Sequence, residues 1–190
     1  MHVVYTGERT RIRPFRDLDE WMKVQTDMES NFNEFWGDWH WPELQKRKEF
    51  VPGGMLSTDE YSCFAIERLD TGEAVGFEEY GGMNATRTNT WIGTIIARQH
   101  WGQGFGREAK LLNLCHLFEN FPIECVWADT TDEHSRAKAG LMACGMQLAG
   151  KHYGYLYKAG RLLPSPCYRI LRDEWEKLPI RQTVQRGCRS

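Results

Sequence analysis

The chain contains no stretch of about 18 consecutive apolar residues, the length a membrane-spanning helix needs, and its amino terminus, Met1-His2-Val3, meets charged residues at once rather than opening a secretory signal. No membrane partner is expected, and the reading is a soluble, cytoplasmic protein. A basic excess is also missing. The 24 Lys and Arg residues are outweighed by 26 Asp and Glu, giving a net charge of -2, and they are scattered; a dedicated nucleic-acid binder needs a concentrated positive surface. Cys63, Cys115, Cys125, Cys144, Cys167 and Cys188 form no CxxC pair and no compact framework, so reduced core thiols are expected rather than disulfides. No set of His, Cys or carboxylates has the linear spacing of a metal site, so no metal is expected. Repeats, low-complexity tracts and Pro/Gly/Ser-rich linkers are absent too. At 190 residues the economical organisation is one α/β unit over residues 1–190.

What is present reads as alternating elements. Thr10 to Phe15 has strand character, and Leu18, Trp21, Met22 and Val24 give a helix to about Met28, broken over Asn31 to Asp38. Trp36 to Trp41 holds three tryptophans in six residues, either capping the core or walling a substrate site; Pro42 suits the first turn of a short helix to about Phe50. Tyr61–Arg68 and Ala74–Tyr80 flank the turn signal Asp70-Thr71-Gly72 and predict an antiparallel hairpin. A strand from Thr90 to Ala97, a glycine-rich loop and a helix carrying Leu111, Leu114, Cys115 and Phe118 follow. Then come a strand over Ile123–Asp129, a capping-box pattern Thr130-x-x-Glu133 opening a helix to Cys144 closed by Gly145, and strands over Met146–Tyr157 and Pro166–Leu171. The fold class is mixed α/β (α+β).

The chemistry is concentrated in Ile95-Ile96-Ala97-Arg98-Gln99-His100-Trp101-Gly102-Gln103-Gly104-Phe105-Gly106-Arg107-Glu108-Ala109, where a strand passes into a helix. Glycines at 102, 104 and 106 let backbone N–H groups converge on an anion, and the helix amino end adds about half a positive charge. A Walker A loop would need Gly-Lys-Ser/Thr, and a dinucleotide fingerprint would need glycine where Arg107 stands; neither fits.

The arrangement resembles motif A of the GNAT superfamily of N-acetyltransferases, Arg/Gln-x-x-Gly-x-Gly/Ala between a splayed strand and a helix. Trp101 departs from that signature, but Trp-Gly-x-Gly-aromatic-Gly/Ala-x-Glu-Ala is the form of the RimJ/RimL-type branch. Arg11-Ile12-Arg13-Pro14-Phe15, the Ala137 to Met146 helix ending in Cys-Gly-Met, and Tyr168-Arg169-Ile170-Leu171-Arg172-Asp173-Glu174-Trp175 are similar to that branch as well. The resemblance spans about residues 8–178, which makes that stretch the core and 179–190 a tail, and it implies a central mixed sheet whose two middle strands part like a V. It also implies acetyl-CoA as co-substrate, held by Ile95, Ile96, Ala97, Trp101, Gly102, Gln103, Gly104, Phe105, Gly106, Arg107 and His134.

Acetylating an amine requires a proton acceptor, donors for the developing oxyanion and a proton for the departing thiolate. The resemblance places the acceptor at Asp129, five residues before His134, which stands where the family motif has asparagine. Glu78 and Glu79 are the other candidates, and they alternate sides of their strand. The family's thiolate-protonating tyrosine aligns with Leu141, so that role is vacant or passes elsewhere, with Tyr153, Tyr155 and Tyr157 as hydroxyl sources. The acceptor is expected to be a small amine or a protein N-terminus, and the protein a monomer or homodimer. Two alternatives stand: a CoA-binding protein of the same fold without turnover, and a transferase with a longer acyl-CoA donor.

Overall fold

The computed structural model describes residues 2–35, 56–58 and 61–189; the Trp36 to Trp41 segment and the helix expected to follow it lie outside the described residues. In chain order the elements are β1 (His2–Thr6), β2 (Thr10–Arg13), α1 (Leu18–Phe35), β3 (Leu56–Thr58), β4 (Tyr61–Arg68), β5 (Ala74–Gly81), β6 (Asn89–Ile96), α2 (Phe105–Asn120), β7 (Cys125–Asp129), α3 (Ser135–Ala143), β8 (Gln147–Lys158), β9 (Arg161–Leu171), the short helices α4 (Arg172–Trp175) and α5 (Ile180–Thr183), and β10 (Gln185–Arg189). The strands form one sheet in the order β10-β1-β2-β4-β5-β6-β7-β9-β8, with β3 also beside β4. This is the expected mixed α/β class.

Local chemistry accounts for the boundaries. β2 stops at Arg13 because Pro14 has no N–H to extend a ladder. Asp17 Oδ1 accepts the Glu20 N–H at 2.7 Å, capping α1. That helix continues to Phe35, beyond the expected end near Met28. Trp21 and Val24 bury its first turns against Phe15, Ala65 and Phe77. Arg13, Arg16, Glu20 and Glu67 tie β2, β4 and α1 together: Arg13 is fully buried and donates to Glu67 at 2.5 Å and to Glu20 at 2.7 Å. Removing one partner of such a buried set typically costs about 3–5 kcal/mol, because the remaining charge loses its compensation.

Two expectations are corrected. Residues 179–190 are not a tail: α5 and β10 lie there, and β10 pairs antiparallel with β1, itself unforeseen, from His2↔Arg189 to Thr6↔Gln185. The capping box at Thr130 does not form either. The Thr130 N–H donates to the Pro166 carbonyl at 3.2 Å and its carbonyl accepts from Ser165 at 2.8 Å. Pairing with β9 therefore holds the backbone at Thr130, and α3 starts only at Ser135, with His134 at the N-cap position and its side chain turned away from capping the helix amides. Gly145, at φ +85, does end that helix region as expected.

The feature that positions the site is where β6 and β7 stop pairing. They run parallel only through Asn89↔Cys125, Thr90↔Val126 and Trp91↔Trp127. Beyond that, among the described residues, β6 continues to Ile96 paired with β5 alone, and Ala128 and Asp129 pair with β9 alone. The two strands part, with α2 and α3 on one side of the sheet and α1 on the other. Val75, Tyr80, Ile92, Val126 and Ala128 pack toward α2 in one core. Phe77, Cys63 and Ala65 pack toward α1 in a second.

Candidate active site

On the α2 side a groove runs between the end of β6, the glycine loop, the start of α2 and the outer face of α3. Thr94, Ile95, Ile96, Trp101, Gly102, Gly104, Phe105, Gly106, Arg107, His134 and Arg136 all border it. Gly104 holds φ +88 directly before Phe105, the first residue of α2, a conformation that costs an L side chain about 1–2 kcal/mol. Gly106 serves a different need: a Cβ there would sit 3.2 Å from Ile96 Cγ1, so its absence lets α2 begin close against β6.

Trp101 is explained by its contacts. Its indole N–H donates to the Ile96 carbonyl at 2.7 Å, pinning the loop to the strand end. Its ring carries the Arg136 guanidinium 3.3 Å above the centroid, with Arg98 at 5.3 Å. Arg107 donates to the Ala143 carbonyl at 3.2 Å, joining α2 to α3. Lys110, one turn after Gly106, borders the same groove. Arg107, Lys110 and Arg136 thus converge on a glycine loop at a helix amino end, a setting that favours a polyphosphate.

His134 also borders the groove. Burial, and then Arg136 and Lys110, lower its pKa to about 4, so it is neutral at pH 7. A guanidinium only donates. The 3.3 Å contact from Arg136 therefore makes Nε2 the acceptor, and leaves Nδ1–H facing Thr130 at 3.4 Å.

Two expected loop residues face elsewhere. Ala97 is buried in the α1-side core, and the Gln103 carbonyl accepts from Arg9 at 3.2 Å on the outer side of the loop. Glu108, part of the motif, binds the chain rather than a ligand. Its carboxylate accepts the Glu8 and Thr10 N–H groups at 2.6 and 2.7 Å, the Arg9 N–H at 3.1 Å, and the Thr10 hydroxyl at 2.6 Å. Thr94, Lys110 and Arg136 were missed in the sequence. Lys110 was legible in principle from its i+4 relation to Gly106; Arg136 and Thr94 come near the loop only through tertiary packing.

The three candidate carboxylates divide between the faces. Glu78 pairs with Thr94 and points toward α2. It is fully buried, and it accepts from the Thr94 hydroxyl and from Asn113 at 2.9 Å. Burial raises its pKa to about 7, against the opposing pull of Lys110. Glu79 pairs with Gly93 on the α1 side, where a Cβ on Gly93 would meet its Oε1 at 2.5 Å. Burial raises it to about 6, and the Tyr61 hydroxyl donates to it.

Asp129 ends β7. Since Val126 and Ala128 face α2, alternation turns Asp129 to the same face as Glu79. Its Oδ1 is buried with no hydrogen-bond partner among the described residues. The Cys167 thiol lies against this carboxylate, and burial followed by that neighbour pushes its pKa up to about 12. Leu141 is buried in the α2-side core. Tyr153, Tyr155 and Tyr157 are exposed, and Tyr155 is the one that senses Asp129.

Residues 9–147 match the family model described as an acetyltransferase (GNAT) domain. No curated protein matches the chain in sequence. Among solved structures, an acetyltransferase (GNAT family) from Bacillus anthracis is similar at 18% identity and TM-score 0.75, covering 90% of this chain and 99% of that one. The spermidine N-acetyltransferase from Vibrio cholerae, solved in complex with CoA and spermine, is similar at 17% identity and TM-score 0.76, covering 88% and 98%. At these identities the structures speak for the fold, and the family match carries the activity. Among the described residues no helix is long and apolar enough to cross a membrane. With the parted strands, the cationic groove and the matched domain agreeing, the chain belongs to the GNAT family of acetyltransferases and takes acetyl-CoA as its acetyl donor.

Proposed function

We propose that the chain is a cytoplasmic, single-domain N-acetyltransferase of the RimJ/RimL type that acetylates a primary amine, with Asp129 as proton acceptor. The observation that carries this reading is the buried Oδ1 of Asp129, without a hydrogen-bond partner among the described residues, on one of the two parting strands. Glu79, across the opening, already accepts the Tyr61 hydroxyl, and Glu78 is sealed beneath α2. The neutral amine attacks the thioester carbonyl, the C–N bond forms as the C–S bond breaks, and the amine proton passes to Asp129.

Leu141 has no proton for the thiolate. Thr94, bordering the groove and hydrogen-bonded to Glu78, relays one: Glu78, raised to about 7, is held partly protonated at neutral pH. Ile95, Ile96, the glycine loop, Arg107 and His134 hold the donor, assisted by Lys110 and Arg136. Glu79 and Asp129 on the α1 side suit a cationic acceptor, whether a small polyamine or a protein N-terminus.

The test joins binding to turnover. Saturating acetyl-CoA should raise the melting temperature, since a ligand at 100 times its Kd adds about 2.7 kcal/mol, and a panel of polyamines, amino acids, aminoglycosides and peptides should contain amines that release free CoA. An unmoved transition with no heat on titration would remove the donor assignment. A raised transition with no CoA release from any amine would favour a CoA-binding protein without turnover, the reading that Leu141 and His134 support.

A further inference from the structure

We propose that Asp129, His152 and Cys167 form a binding site for a zinc-class divalent cation on the α1 side of the sheet, at the open end of β7. The three come from three adjacent strands, which is why linear spacing gave no sign of them. Asp129 and Cys167 are direct partners in the antiparallel β7–β9 pairing, and His152 lies on β8 beside β9. The donor atoms, a carboxylate oxygen, a thiol sulfur and an imidazole nitrogen, all lie within 4.8 Å of one another. Tetrahedral zinc with bonds of about 2.0–2.3 Å sets its ligand atoms roughly 3.5 Å apart. The remaining gap is within reach of a rotamer change at His152, the one exposed member, which sits where the β8 register shifts between His152 and Leu156.

The donor set is selective. Magnesium and calcium take oxygen ligands, whereas a mixed oxygen, nitrogen and sulfur set suits zinc. A second observation points the same way: Asp129 Oδ1 is a buried carboxylate oxygen without a hydrogen-bond partner among the described residues, and a cation would supply the compensation that such an atom lacks. Three protein ligands leave a fourth position for water or another donor. Cys167 binds as thiolate, releasing its proton to solvent.

Binding does not depend on the acetyl-transfer reading, but one consequence does. A cation held by Asp129 withholds the proposed proton acceptor, so zinc should inhibit turnover. The metal-free full chain, titrated with zinc against a chromophoric chelator, should take up one equivalent tightly. Cobalt should bind at the same place with a thiolate charge-transfer band. Cys167→Ser should lose that band, and both Cys167→Ser and His152→Ala should weaken zinc by about tenfold or more, with unchanged circular dichroism and an unchanged melting response to acetyl-CoA. No uptake by the wild type, or uptake equal in both variants, overturns the site. Stoichiometric zinc with undiminished turnover would uphold the site and overturn Asp129 as proton acceptor.

Discussion

On the α2 side of the parted strands the side chains around the groove are Arg107, Lys110 and Arg136 with glycines between them; on the α1 side they are Glu79, Asp129, Cys167 and the rings of Tyr61 and Trp91. The cations stand on α2 and α3 and the second set on the strands, where alternation sends successive residues to opposite faces. Glu78 and Glu79 show the consequence most directly. These adjacent carboxylates on one strand end up one locked under a helix with Thr94 and Asn113, the other beside Tyr61. Among the described residues the sheet opens between β6 and β7, and under the proposed function the anionic donor and a cationic acceptor would lie on opposite sides of it, each among charges of the complementary sign.

The comparison breaks hardest at Asp129. Asp129→Asn, assayed with a chelator present, should lower turnover by about 10²- to 10⁴-fold while acetyl-CoA affinity holds, with a flattened acid limb in the pH profile. Glu79→Gln on the same face should cost less than tenfold, and a larger loss there would transfer the role to β5. Retention of more than about a third of wild-type turnover by Asp129→Asn excludes it as the base.

Glu78 sharpens the contrast through pH. Its folded pKa, about 7, lies above the ordinary 4.5, so the folded state holds a proton that the unfolded chain has released between those values. Stability contributed by this group is fully present below pH 4.5, falls as pH rises, and is gone above about 7, an effect of order 3 kcal/mol. Glu78→Gln should remove that decline, so melting curves of wild type and variant should diverge steadily from pH 4.5 to 7. If Glu78 and Thr94 relay the thiolate's proton, the variant's turnover also falls. Parallel melting curves would show that Glu78 ionises as freely folded as unfolded.

The smallest effect belongs to the groove. Gly104→Val should weaken acetyl-CoA by about tenfold or more, because the left-handed backbone at φ +88 suits a branched residue poorly. Circular dichroism should be retained, since among the described residues only Arg9 Nη1 lies near a Cβ built there, at 3.9 Å. Gly106→Val should disturb the fold more, because its Cβ would press on Ile96. Equal affinity in a folded Gly104→Val would separate the loop from donor binding.

How much of this was legible follows from range. The hairpin of β4 and β5, the β6-loop-α2 unit and the stop at Gly145 are written in neighbouring residues, and the structure has them where periodicity and turn chemistry put them. What could not be read depends on distant partners. β1 is a strand because β10 pairs with it. Thr130 declines its capping role because Ser165 and Pro166 hold it. Arg136 joins the loop by lying on Trp101, and Cys167 meets Asp129 through strand register. Local pattern carries none of these.

Glu108 turns the amino-terminal segment into a reporter on the loop. Its carboxylate holds the amides of Glu8, Arg9 and Thr10 from the first turns of α2, four residues past the glycine that starts that helix. Those amides exchange with solvent only when the clamp lets go, so their protection measures how often the α2 amino end loosens. A donor that steadies the loop should therefore slow exchange at residues 8–10, although none of them borders the groove.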